Sequence, residues 1–309
     1  MVRSTRSGEA YLALEFADRT GRIAGVHFRP DCEATTIPSG TIVRVSGRVT
    51  KFRGIKRISV DRMAPSAEYD PADMLEASRR DSEEVLQEFK AVAATVRDRD
   101  LRALIGTVFG DTNFLARFKS CPGARTYHHA HLGGLMEHTV AVARLCVHLA
   151  TSYERVDCDL LLSAALLHDI GKVDELNYES AIDYTDEGRL LGHVVLSERR
   201  VREAASKMRR QLSSQVLTRL SHAILAHHGE LEWGSPKRPS TIEALLLHHA
   251  DNLDAKADGF LALTGCSSVV DERWTDSSNL FRRPLYAPAS LDDSQPVPDV
   301  EEAHCLLGA

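Results

Sequence analysis

Leu166-Leu167-His168-Asp169-Ile170-Gly171-Lys172 places an adjacent histidine and aspartate at the end of an apolar helix. Burying such a pair is costly unless both side chains find partners, and a divalent metal suits both. A lone His-Asp dipeptide proves nothing, so the reading depends on what surrounds it. His138 lies upstream, and His193, His227-His228 and Asp251 lie downstream, all near the ends or inward faces of expected helices. Twelve of the 14 histidines fall between His128 and His249. That clustering favours a shared metal site over core histidines that each satisfy themselves with a hydrogen bond.

A chain of 309 residues can hold a large core and two domains. Its hydrophobic content of 43% and charged content of 27% describe an ordinary globular protein, which excludes fibrous and membrane classes. No apolar run reaches the length of a membrane span, and Met1-Val2-Arg3-Ser4-Thr5-Arg6 lacks the apolar centre of a signal peptide, so the expected location is cytoplasmic. Cys32, Cys121, Cys146, Cys158, Cys266 and Cys305 show no CxxC spacing and read as reduced packing thiols. The net charge of −6 argues against a uniformly basic nucleic-acid binder. Between residues 41 and 63, however, Arg44, Arg48, Lys51, Arg53, Lys56, Arg57 and Arg62 face a single acid, Asp61. A locally basic module in an acidic chain suits a protein that grips a polyanion at one place.

Residues 1–66 read as β. Alternating stretches such as Arg22–Phe28 and Thr41–Val49 are separated by glycine-containing turns, which predicts a small all-β OB-like barrel whose first strand is short or missing. Residues 67–120 read as a linker and helical connection, in which Asp81 caps a helix with the apolar stripe Val85, Leu86 and Phe89. From that cap to about Gly259 the pattern is helical, a further domain is expected over residues 121–286, and Gly171 is expected as a helix C-cap. Residues 287–309, rich in proline and acids, read as a disordered tail. The fold class expected is a mainly α bundle with a small N-terminal barrel.

The segments Gly133-Gly134-Leu135-Met136-Glu137-His138-Thr139, His168-Asp169-Ile170-Gly171-Lys172 and Ala250-Asp251-Asn252 resemble the signature of HD-domain metal-dependent phosphohydrolases. The resemblance implies an HD helical bundle holding two divalent ions: His138, His168, Asp169 and Asp251 on one, and His193 and His227 on the second, bridged by Asp169. Manganese is the expected metal, with iron, cobalt or zinc as alternatives; His and carboxylate donors suit all of these. Within that superfamily, His227-His228-Gly229-Glu230-Leu231-Glu232-Trp233-Gly234-Ser235-Pro236 and Asp251-Asn252-Leu253-Asp254-Ala255-Lys256 are similar to the YhaM family of 3′→5′ exoribonucleases, as are Gly47-Arg48-Val49 and Phe52-Arg53-Gly54 in the β region. The activity implied is hydrolysis of single-stranded RNA, and also single-stranded DNA, from the 3′ end to nucleoside 5′-monophosphates.

Asp169, Lys172 and His228 are the expected catalytic residues. Lys172 can offset charge on a scissile phosphate, or simply complement the helix dipole. Arg125, His129, Arg48, Arg53 and Lys56 are the expected substrate contacts, and His248 a partner to a ligand. Two other readings stay open, a phosphohydrolase of nucleotides or cyclic dinucleotides and a non-catalytic nucleic-acid-binding protein. A homo-oligomer is compatible with the sequence.

Overall fold

Alternating apolar residues and glycine turns in the N-terminal region do form strands: β1 (Val2–Ser4), β2 (Ala10–Asp18), β3 (Gly21–Phe28), β4 (Val43–Phe52) and β5 (Ile55–Pro65). The structure is a computed structural model that describes residues 2–287, apart from 5–8, 29, 39, 53–54, 71–72, 127, 180, 266–268, 272 and 278. The expected disordered tail therefore lies outside the described residues beyond 287. The strand order is β1-β2-β3-β5-β4, with β3 parallel to β5 and the other neighbours antiparallel. A short helix, α1 (Cys32–Thr36), intervenes between β3 and β4.

The expected OB-like barrel is not what forms. β1 and β4 are the two edges of an open sheet and do not pair with each other. Alternation and turn residues specify which neighbouring strands pair, whereas closure requires the first and last strands to meet, and no local pattern encodes that. Leu12, Ala34, Val60 and Met63 are buried with Leu14, Phe16, Ile37, Val43, Val45 and Ile58 packed against them. As an edge, β4 is left largely in solvent; Val49 is 67% and Phe52 52% exposed. Its cationic side chains Arg44, Arg48 and Lys51 blunt it against edge-to-edge aggregation.

The helices follow from capping and apolar periodicity. Asp81 accepts from the N–H groups of Glu83 and Glu84 to start α2 (Ser82–Thr95), and Val85, Leu86 and Phe89 are its buried face, as the stripe predicts. Asp98 and Asp111 cap α3 (Arg99–Phe109) and α4 (Thr112–Ser120) in the same way. α5 (Gly134–Ser152) packs on α6 (Cys158–Leu167), which is buried at every position from Leu160 to Leu167 and forms the centre of the bundle. After α6 come α7 (Lys172–Glu175), the two-residue strands β6 (Leu176–Asn177) and β7 (Asp183–Tyr184), and α8 (Asp186–Leu191). α9 (His193–Lys207), α10 (Ser214–Leu225) and α11 (Ile242–Gly265) complete it.

Gly171 differs from its expected role. α6 ends at Leu167, and Gly171 has φ −69°, in the right-handed region, immediately before α7. Glycine is needed there for space, since a Cβ would lie 2.4 Å from the His193 carbonyl oxygen and 2.5 Å from the Ser197 nitrogen.

Contacts divide the chain into Met1–Gly259 and Phe260–Ala309, the division falling within α11. In the second unit β8 (Val269–Asp271) pairs with β9 (Trp274–Thr275), and Trp274 meets Tyr286 edge-on at 5.3 Å. Among the described residues no helix is long and apolar enough to cross a membrane.

Candidate metal centre

Five imidazoles in the bundle share one arrangement. Each donates from Nδ1: His138 to Asp254 Oδ2 at 2.7 Å, His168 to the Ala165 carbonyl at 2.8 Å, and His193 to Glu175 Oε1 at 2.9 Å. His227 donates to the Ile224 carbonyl at 2.6 Å, and His228 to the Trp233 carbonyl at 3.0 Å. With Nδ1 occupied, Nε2 is the nitrogen that each ring turns toward its neighbours in the cluster. Orientation of metal-binding histidines by an acceptor on the far nitrogen is the usual supporting device.

Asp169 stands between two groups of these rings. Its Oδ2 lies 3.4 Å from His168 Nε2 and 3.5 Å from His138 Nε2. Asp251 Oδ1 adds to this side at 3.1 Å from His138 Nε2. Asp169 Oδ1 lies 3.4 Å from His193 Nε2 and 3.5 Å from His227 Nε2, and it is buried without a hydrogen-bond partner. Donor atoms around one cation at bond lengths of 2.0–2.2 Å sit roughly 3.0–3.6 Å apart, so both sides have the spacing of a coordination shell. An orphaned carboxylate oxygen facing two imidazole nitrogens is a poor arrangement without a cation and a good one with it. The donor set fits divalent ions.

The electrostatics agree. Burial opposes a charge on His138, but Asp169, Asp251 and Asp254 outweigh it and hold the ring protonated well above the ordinary histidine range. Its imidazolium supplies the positive charge that three carboxylates demand, and a metal would replace that proton. His168 and His228 behave oppositely; burial lowers them to about 4 and about 3, leaving them neutral. Burial alone would raise Asp169, yet Lys172 and the surrounding histidines hold it well below the carboxylate range.

The structure brings together His138 on α5, His168 and Asp169 in the turn after α6, and His193 at the start of α9. To these it adds His227 and His228 just past α10, and Asp251 on α11. Lys172 is buried with Nζ 2.5 Å from Asp169 Oδ2. His248 donates to the His227 carbonyl at 2.8 Å and so fixes the turn that carries two of the rings. Gly229 follows in that turn at φ +80°, where a Cβ would strike the His248 ring at 2.3 Å. Arg125 stands at half exposure, 3.5 Å from Asp183 and over the Tyr184 ring. His129 points its Nε2 at Asp254. Arg48 and Lys56 lie on the β4–β5 ribbon, not among the side chains converging on Asp169, and Arg53 lies outside the described residues.

Sequence reasoning missed Asp254 and Glu175, which orient His138 and His193. Asp254 had a signal, standing three residues after Asp251 and so on the same helix face. Glu175 had none, because α8 and the hairpin that bring it to His193 are tertiary features.

A buried His-Asp turn on a helical bundle, ringed by further histidines and an aspartate, defines an HD-type metal site. The HD domain family matches residues 135–256. The chain is 34% identical over 254 residues to a 3′-5′ exoribonuclease YhaM of Bacillus subtilis and 33% identical over 254 residues to that of Bacillus velezensis, covering 81% of this chain and 80% of each relative. It is 31% identical over 295 residues to the Geobacillus protein of the same name, covering 93% of this chain and 90% of the relative. No solved structure matches it. The chain belongs to the YhaM 3′-5′ exoribonuclease family.

Proposed function

We propose that this protein is a cytoplasmic, metal-dependent 3′→5′ exonuclease that shortens single-stranded RNA, and also single-stranded DNA, to nucleoside 5′-monophosphates. The observation that carries the reading is Asp169 Oδ1, buried and unpartnered between His193 and His227 while Oδ2 serves the opposite group. His138, His168, Asp169 and Asp251 would hold one cation, and Asp169, His193 and His227 a second, with manganese as the favoured metal. When bound, such a pair supplies Lewis acidity toward a phosphoryl oxygen and renders water acidic enough to attack at neutral pH.

The chain's own groups do the rest. Lys172 keeps a positive charge beside Asp169, where it offsets charge developing on the scissile phosphate. His228, kept neutral by burial, turns Nε2 to the edge of the second cluster, 3.1 Å from His193 Nε2, where it is placed to contact the phosphate. Arg125, half exposed on the loop before α5, is available to a phosphate.

The β4–β5 ribbon supports a polymer as substrate. Lys51 lies directly opposite Lys56, both exposed, a like-charge pair that costs stability until a polyanion neutralises it. By strand alternation Arg48 and Arg57 belong to the opposite face of the ribbon, where Arg57 lies over the exposed Phe52 ring at 4.3 Å. Regions 1–66 and 121–286 thus divide the work between strand retention and hydrolysis, joined through 67–120.

The test is RNA carrying a label at the 5′ end, incubated with manganese. A ladder shortening from the 3′ end is expected from the wild type and none from Asp169→Asn, which should still bind RNA. Turnover of free nucleotides alone, or full activity in Asp169→Asn, would overturn the reading.

A further inference from the structure

We propose a third cation site beside the catalytic cluster, formed by His129 Nδ1, His131 Nε2 and Glu137 Oε2. These atoms lie within 4.8 Å of one another and include none of the donors assigned above. The loop before α5 is built to present them. His129 adopts φ +47°, and its backbone N–H donates to Asp258 Oδ2 at 2.7 Å. Its Nε2–H donates to Asp254 Oδ2 at 3.0 Å, so Nδ1 is the nitrogen left to take a ligand. That Nδ1 is buried with no hydrogen-bond partner, facing Glu137 Oε2 at 3.8 Å.

This separation decides between a proton and a metal. At 3.8 Å a proton on Nδ1 makes no hydrogen bond to the carboxylate. A cation with bonds of about 2.0–2.2 Å spans such a gap, and it also takes in His131 Nε2 by replacing the proton of its 3.0 Å hydrogen bond to the same oxygen. Glu137 is held in place through its other oxygen, which accepts from the Ser78 hydroxyl. His131 is about one-fifth exposed, so the site opens to solvent and leaves coordination positions for water. Two imidazoles and one carboxylate suit zinc, cobalt or manganese.

The site reaches the catalytic cluster through one atom. Asp254 Oδ2 accepts from His129 Nε2 and from His138 Nδ1. A cation on His129 strengthens its donation to Asp254 and so sets the orientation of His138. That role, though not the site itself, rests on the reading of the His138 cluster as catalytic.

The experiment titrates cobalt(II) into metal-free Asp169→Asn and Asp169→Asn/His131→Ala, following visible d–d absorption and bound metal by mass spectrometry. The single variant should hold one equivalent more than the double. Equal uptake by the two overturns the third site, whatever the catalytic cluster does. Glu137→Gln replaces His131→Ala if the latter unfolds by circular dichroism, with the same two outcomes. Wild-type protein binding no more metal than Asp169→Asn would instead sink the catalytic reading and leave the third site standing.

Discussion

The metal cluster and the β4–β5 ribbon both concentrate polar groups, and they are built on opposite principles. In the cluster the rings are buried or half-buried, each donates to a named acceptor, and together they come from four parts of the bundle. On the ribbon the cations are exposed, adjacent along two strands, and paired like with like at Lys51 and Lys56. Burial makes each member of the cluster depend on the others, whereas screening by water makes the ribbon's charges nearly independent. One region should fail as a unit, the other by increments.

The largest effect expected from that contrast is at Asp254. Asp254→Asn weakens the acceptor for His138 without touching a proposed ligand, and loss of such a partner costs about 10–100-fold in metal affinity or activity. Manganese titration of activity measures it; an unchanged midpoint and unchanged rate would mean that the rings do not act together. A smaller, graded effect is expected on the ribbon. Lys51→Ala and Lys56→Ala should each weaken RNA binding and flatten its dependence on salt by about one unit of slope, with the rate at saturating RNA unaltered. Fluorescence anisotropy across salt concentrations reads this, and a salt slope identical to wild type would remove the ribbon from the binding surface.

The smallest effect concerns His128, which burial lowers to about 3 in the folded protein. Unfolded histidine takes its proton near pH 6.5, so between these values the unfolded state binds more protons and stability falls as pH falls. His128→Asn removes this contribution. Urea unfolding of the metal-free protein should lose stability less steeply between pH 6.5 and 4 in the variant, and parallel curves would place His128 in contact with water.

The same contrast explains what the sequence disclosed. Histidines and aspartates at helix ends are conspicuous because nothing in ordinary packing calls for them there, so six distant side chains could be grouped before any coordinates. The carboxylates behind them could not. Asp254 and Glu175 look like solvated helix residues until the tertiary fold buries them against His138 and His193. In the β region, Gly21 and the alternation around it revealed the β2–β3 hairpin, but whether β1 and β4 pair to close the sheet is not a local property. Gly171 invited a capping explanation because glycine commonly ends helices; its actual constraint comes from α9, some twenty residues further on.

That contact at Gly171 has a mechanical consequence. Its N–H donates to Ser197 Oγ at 2.8 Å, and the backbone of α9 lies against it with no side chain between. The turn bearing His168 and Asp169 is therefore tied directly to the backbone of the helix bearing His193. The gap between the cluster's two halves is gauged by the thickness of a peptide backbone, which neither swells nor shrinks with rotamer changes.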